Sequence, residues 1–343
     1  MSGRTKRTLY YIASSLLFLC AMAGSVLMAY LYGFKQKETF AYHFSFWVFC
    51  AITAFLPLEI LVHELGHLLF GLILGFRPIS FSVYGIILGR GSSGSRYACR
   101  ADGQTVLLPR NDKNVRGRYL LSAFGGAAFN LICGGILLAC FFIFPLSPAL
   151  FFFTLFAPLN LYQGVAELIP CELPEGRTDG KMILELCKNM SYAQTFLAVL
   201  IAQGRLISQS YSELPKDLLF RLPVVREDDP AAMAVLQMRW QYAHFNGDDE
   251  EAQKQISRME SICDDGVAPI EFLCDVIWWK RIMLNEEVAE QTFKGKTIPE
   301  LRTRYALEGK GKNDALDAIK REKMVGIRLF EEKLIAETQE KLQ

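Results

Sequence analysis

In Val62-His63-Glu64-Leu65-Gly66-His67 two histidines stand four residues apart, with a glutamate directly after the first. On an α-helix positions i and i+4 share one face, so both imidazoles can reach one metal ion at about 2.0–2.1 Å. Glu64, next to the first ligand, is then placed to take a proton from water as general base in a metal-assisted hydrolysis. Of the 4 histidines in the chain, two fall at this spacing. Their neighbours Ile60, Leu61, Leu65, Leu68, Leu69 and Phe70 are apolar. An ionised carboxylate at mid-membrane costs roughly 2.5–3.5 kcal/mol, which marks Glu64 as a working residue. Glu59, four residues before His63, can orient that ring as a hydrogen-bond partner. His43 and His244 stand apart from this pattern and read as structural.

The ligand types point to one zinc ion, although other divalent ions suit such donors. A catalytic tetrahedral zinc takes a third protein ligand and keeps the fourth position for water. No third histidine stands at a suitable spacing, but acidic residues gather in Glu167-Leu-Ile-Pro-Cys-Glu-Leu-Pro-Glu-Gly-Arg-Thr-Asp179-Gly180. Glu167, Glu172, Glu175 and Asp179 are the candidates. The two prolines and Gly176 keep this segment out of a regular helix, and irregular backbone at membrane depth is tolerated only where it lines protein or a wet cavity.

The elements that must position these groups are apolar and long. No charge occurs from Thr8 to Phe34, a stretch longer than the apolar region of a cleaved signal, and we read it as a retained span. Phe40–Phe76 is a second apolar stretch that Pro57 is expected to kink or to divide from an interfacial lead-in. Tyr119–Ala166 has no charge and is divided by Pro145-Leu-Ser-Pro148. The expectation is four transmembrane helices, near 9–33, 44–76, 119–144 and 148–168. Segment 77–118 carries 8 Arg/Lys, whereas the opposite loops hold Lys35 and Lys37. The positive-inside rule therefore places that segment and both termini in the cytoplasm, in a multi-pass protein of the cell membrane whose site opens toward the cytosol. Within the segment, Ile79–Tyr84 alternates as a strand does, and Arg100–Leu108 reads as a strand around an Asp102-Gly103 turn. A small β-sheet at the membrane surface follows.

Charge then divides the chain. Residues 1–166 hold 13 Lys/Arg against 5 Asp/Glu, and the remainder holds 24 against 31. The boundary is set between 185 and 186, giving a membrane-embedded domain 1–185 and a cytosolic helical domain 186–343. Basic residues beside apolar spans are not the clustered face that nucleic acid requires. The 9 cysteines form no CxxC pair and read as thiols in a reducing compartment. In the second half, Ala231–Met259 reads as helix, Asn246-Gly247 turn, amphipathic helix, the unit of a tetratricopeptide-like array. Looser echoes begin at Trp278, with a second helix from Glu286, and at Tyr305, with a second helix from Ala315. This half is expected to be soluble, all-α and repeat-like, a docking surface for a protein partner.

A His-Glu-x-x-His helix, a basic sheet-like loop, two further spans and a proline-rich segment closing on Asp-Gly resemble the site-2 protease family, across roughly residues 44–185. The resemblance implies an intramembrane zinc endopeptidase acting on membrane-bound protein or peptide substrates. It implies that His63, His67 and Asp179 bind zinc, that Glu64 activates water, and that an edge of the 77–118 sheet aligns extended substrate. Ser122-Ala-Phe-Gly-Gly-Ala-Ala-Phe-Asn130 resembles the family's small-residue helix, whose glycines permit close packing. The chain departs from the family at Glu167, where an asparagine able to bind the substrate carbonyl is usual, and by eight residues rather than four between Pro170 and Asp179. Asn160, seven residues before Glu167, lies on nearly the same helix face and can substitute. Two alternatives stand beside this reading. One is a catalytically degenerate relative that binds membrane proteins or peptides as a scaffold. The other is a metalloprotease drawing a ligand from Glu271-Phe-Leu-Cys-Asp275.

Overall fold

The computed structural model describes residues 3–36, 41–84, 86–88, 103–144, 147–174, 176–226, 229–264, 269–288, 293 and 295–343, with backbone alone for 3, 34–36, 41–54, 87–88, 148–149 and 264. The Asp102 side of the expected hairpin turn, Pro145, Glu175 and the His43 side chain lie outside it. The protein is mostly helical and divides into two compact units. The first contains the described residues up to Leu88, residues 103–107 and Asn114–Lys188; the second contains Leu108–Lys113 and Asn189–Gln343.

The first unit is built on α1 (Gly3–Gln36), α2 (Ala41–Ile73) and α3 (Val115–Ile143). Among the described residues, Arg4–Gly33, Phe55–Ile73 and Val115–Ile143 are the helices long and apolar enough to cross a membrane. α2 continues through Pro57, at the loss of one backbone donor, and does not end there. The fourth expected span is two shorter helices, α4 (Pro148–Thr154) and α5 (Ala157–Leu168), separated at Leu155–Phe156. Pro158 stands in the first turn of α5, where its missing N–H does no harm. Ser25 of α1 donates to the Leu155 carbonyl at this break, 3.3 Å away. Phe55, Phe151, Phe156, Leu159 and Phe141 form an apolar cluster around it.

Gly75, at φ +80°, turns the chain out of α2 directly into β1 (Phe76–Val83). β1 is central in a three-stranded sheet, with β2 (Ile86–Leu88) and β3 (Gly103–Pro109) at its edges. β1 and β2 are antiparallel, Phe81 opposite Leu88. After α5 come two very short strands, β4 (Glu172–Leu173) and β5 (Gly176–Arg177), antiparallel to each other, and then α6 (Asp179–Cys187).

The second unit is helical: α7 (Ser191–Leu206), α8 (Lys216–Phe220), α9 (Pro230–Phe245), α10 (Asp249–Asp264), α11 (Ile270–Ile282), α12 (Ile298–Glu308), α13 (Lys312–Lys320) and α14 (Val325–Leu342). α9 and α10 form the helix pair expected around Asn246-Gly247, with Gly247 at φ +77°. α12 and α13 form another around Gly309 and Gly311, both at positive φ. The middle echo differs. No helix starts at Glu286; among the described residues the next begins at Ile298, where Thr297 and Glu300 close a capping box.

Candidate metal centre

α2 brings His63, Glu64 and His67 to the interior of the first unit, at 4%, 6% and partial exposure. His63 Nε2 lies 3.1 Å from Asp179 Oδ2, His67 Nε2 lies 3.2 Å from the same oxygen, and the two Nε2 atoms are 3.1 Å apart. These three residues are the group of potential ligands found together among the described residues. A tetrahedral ion with bonds of about 2.0–2.1 Å has ligand-to-ligand edges of about 3.3–3.4 Å. The observed triangle fits those edges closely.

The proton positions bear on what can hold it. His67 Nδ1 lies 2.8 Å from the Ser122 carbonyl, which can only accept, so Nδ1 carries a hydrogen. A neutral His67 then turns the lone pair of Nε2 toward the Asp179 oxygen. Two acceptors at that distance repel unless a second ring proton or a metal ion lies between them, and a carbonyl that fixes the tautomer is the usual support of a metal-binding histidine.

α3 supplies the wall behind the ligands. A Cβ placed on Gly126 would stand 2.5 Å from His67 Nε2 and 2.7 Å from His63 Nε2, so a side chain here would fill the site. Gly66 and Gly125 let the two helices meet backbone to backbone; a Cβ on Gly66 would come 2.5 Å from the Gly125 carbonyl.

Asp179 arrives from the other side, on the first turn of α6. The eight residues Cys171–Thr178 are taken up by the β4–β5 hairpin, which returns the chain to the same place. Thr178, fully buried, ties its ends together: its hydroxyl donates to the Ile169 carbonyl (2.8 Å) and accepts from the backbone N–H of Cys171 (3.0 Å) and Lys181 (3.3 Å). Glu185 pairs with Arg177 (3.3 Å) and Lys181 (3.0 Å), fastening β5 to α6. Gly180 packs so closely on the Leu168 carbonyl that no Cβ fits, which explains why glycine must follow the aspartate. At the far end of α6, Arg116 donates to the carbonyls of Leu186 (2.7 Å) and Cys187 (2.8 Å) and caps the helix.

Glu64 is held from β3. The Thr105 hydroxyl lies 2.6 Å from Glu64 Oε2, and Gly103 runs so close that a Cβ there would stand 3.0 Å from Glu64 Oε1. The sheet thus fixes the carboxylate next to the ligand pair.

Sequence reasoning placed His63, Glu64, His67 and Asp179 together, and so does the structure. Glu172 is half exposed and faces Arg177 at 3.8 Å, away from the triangle. Glu167 is buried in the last turn of α5. The side-chain nitrogen of Asn160 donates within its own helix, to the Phe156 carbonyl at 3.0 Å. Glu59 does not orient His63, because its Oε2 and His63 Nδ1 each find no hydrogen-bond partner in the protein. Helical side chains lean toward the N-terminus, which carries the Glu59 carboxylate away from His63. Asp275 is bound to Arg302 and Gln237 within the second unit, which removes the Glu271–Asp275 alternative as a ligand source. His244 is buried against Trp240, Trp278 and Trp279 and bonds Glu337 at 2.8 Å. Thr105, Thr178 and the Arg177–Glu185 pair were not foreseen; nothing in their spacing distinguishes them from ordinary strand or loop residues.

Compared with known protein families, with characterised proteins and with solved structures, the chain gives no match in any of the three.

Proposed function

We propose that the chain is a multi-pass intramembrane zinc endopeptidase of the site-2 protease type, with both termini and segment 77–118 in the cytoplasm. The observation that carries this reading is the triangle of His63, His67 and Asp179, set among apolar helices with Glu64 adjoining it. His63, His67 and Asp179 are the residues that hold zinc. A bound zinc ion supplies Lewis-acid polarisation of water and of the scissile carbonyl. Glu64, aimed by the Thr105 hydroxyl, takes the proton from the attacking water and delivers it to the leaving amine. The backbone at Gly126 leaves open the space that any side chain would occupy. Strand edges such as those of β2 and β3, the outer strands of the sheet among the described residues, are suited to pair with an extended peptide.

Glu167, where the family has a neutral donor, favours one second reading, a relative that holds membrane peptides without cutting them. One experiment separates the two. Metal content and cleavage of membrane-tethered substrates are measured for wild type and Glu64→Gln. The expected result is equal zinc in both proteins and a rate at least ~100-fold lower in the variant. Zinc in both with cleavage in neither supports the binding reading, and absence of zinc from wild type overturns both.

A further inference from the structure

Glycine and ring contacts place the helices of the first unit in register. Phe55 of α2 meets Phe156, immediately before α5, with ring centroids 5.0 Å apart. One turn further along these helices stand Glu59 and Asn160, and the next turn reaches His63 and Gly164. α3 runs the opposite way. Its Gly126 adjoins His63 and His67, its Ala127 carbonyl and Leu131 adjoin Gly164, and its Gly134 adjoins Ala157 and Leu161. Asn130, one turn past Gly126 on that face, therefore stands between the level of the metal ligands and that of Glu59 and Asn160. Three polar side chains thus fall within about one helical turn of one another, a layer between the metal ligands and the Phe55–Phe156 rings.

All three are buried, Asn130 and Asn160 completely. Asn130 Oδ1 and Nδ2, Asn160 Oδ1 and Glu59 Oε2 find no hydrogen-bond partner in the protein. An unmatched polar group in an apolar interior is costly, and four in one layer are not explained by packing.

We propose that this layer binds the backbone of the substrate, with Asn130 as its clamp; this rests on the protease reading above. A helical membrane segment must unwind before one of its peptide bonds can be attacked, and each freed N–H and C=O then needs a new partner in a place without water. A primary amide is complementary to a peptide unit, because its Nδ2 donates to the carbonyl while its Oδ1 accepts from an N–H. Asn130 has both atoms open, whereas Asn160 has spent its nitrogen on Phe156. Asn130 is thus a positioning residue that takes over the carbonyl-binding role Glu167 lacks.

The test is a double-mutant cycle between protein and substrate. Synthetic membrane-spanning peptides carry a single amide-to-ester replacement, stepped through the residues flanking the cut, so that each lacks one N–H. Asn130→Leu should keep full zinc and lower kcat/KM by about 10–100-fold on the all-amide peptide. One ester position should cost wild type about tenfold and cost the variant little. Asn130→Ala removes the same acceptor with less bulk than leucine; it carries the test if the leucine variant loses zinc. Binding of the same peptides to Glu64→Gln protein, with and without the Asn130 change, gives the cycle without hydrolysis. A wild-type protein that binds but cuts nothing overturns the protease reading while the binding cycle still decides Asn130. Equal ester costs at every position in both backgrounds overturn the clamp.

Discussion

The two units treat buried polar groups in opposite ways. In the second unit they are matched to one another: Trp278 Nε1 donates to Thr338 (2.8 Å), Trp279 Nε1 to Gln253 (2.6 Å), and Thr303 to the Cys274 carbonyl (3.1 Å). Arg302, fully buried, bonds Asp275 and Glu331. It has exceptions, Thr195 Oγ1, Gln209 Oε1, Trp240 Nε1, Gln255 Oε1 and Arg302 Nε, each a single atom of its side chain. In the first unit several unmatched atoms lie on the helices that form the candidate site: His63 Nδ1 and Glu59 Oε2 on α2, both amide atoms of Asn130 on α3, and Asn160 Oδ1 on α5. Satisfied polar groups specify a core, and unsatisfied ones that cluster prepare a place for something else. The second unit is organised to hold its shape; the function proposed above has the first receive a ligand.

If that contrast is correct, the largest effect of a small change should come from filling the open space. Gly126→Ala pushes a methyl group against both ligand nitrogens, so metal affinity should fall by at least ~10–100-fold, read as zinc content after dialysis. Gly135→Ala is the control, because a Cβ there meets nothing within 4 Å. Full zinc in Gly126→Ala would mean that the ligands are not where the triangle puts them.

Arg302→Met tests the other side. Removing one member of a buried ion cluster costs roughly 3–5 kcal/mol, so the denaturation midpoint followed by tryptophan fluorescence should drop sharply. Zinc content should stay full while the protein is folded, since no proposed ligand lies beyond residue 179. Zinc lost in step with fluorescence would erase the distinction between a structural and a receiving unit.

A smaller effect is expected at Thr105. Thr105→Val removes the hydroxyl from Glu64 and leaves the shape, so zinc should remain while kcat falls by about tenfold, the size of one hydrogen bond to a charged group. An unchanged kcat would show that Glu64 is aimed by other means.

The same contrast decides how much was legible beforehand. Two imidazoles and a carboxylate on one helix face follow from spacing, because helical period is local. Asp179 needed the family resemblance, since four acids shared its segment and only the Thr178 hydrogen bonds and the Gly180 contact single it out. A hairpin of two-residue strands has no periodicity to detect. The break at Leu155–Phe156 was missed because hydropathy sums composition and does not see where a backbone turns, although Pro158 stood there as a signal. The Asn246-Gly247 helix pair was found for the opposite reason: a positive-φ turn announces itself by residue type. Trp278 and Trp279 looked like a repeat, but their indoles answer to Thr338 and Gln253, residues no local pattern connects with them.

The smallest effect, and the one that separates the matched core from an idealised one, concerns its charge. Arg302 is a single buried cation facing two carboxylates, Asp275 and Glu331, with Gln237 donating to Asp275 at 2.6 Å. One positive charge cannot balance two negative ones away from water, and burial pushes the Glu331 carboxyl up to about 7 from its ordinary 4.5. With the folded value above the unfolded one, the unfolded chain releases this proton first as pH rises. Stability is therefore full below about 4.5, is lost as pH climbs toward 7, and is level above that. Glu331→Gln stays neutral at every pH and keeps an oxygen for Arg302. Its denaturation midpoint, again followed by tryptophan fluorescence, should match wild type near pH 5 and exceed it near pH 8, by a slope of at most ~1.4 kcal/mol per pH unit across the window. Parallel curves for the two proteins would move the titrating group to Asp275, whose carboxyl burial also raises.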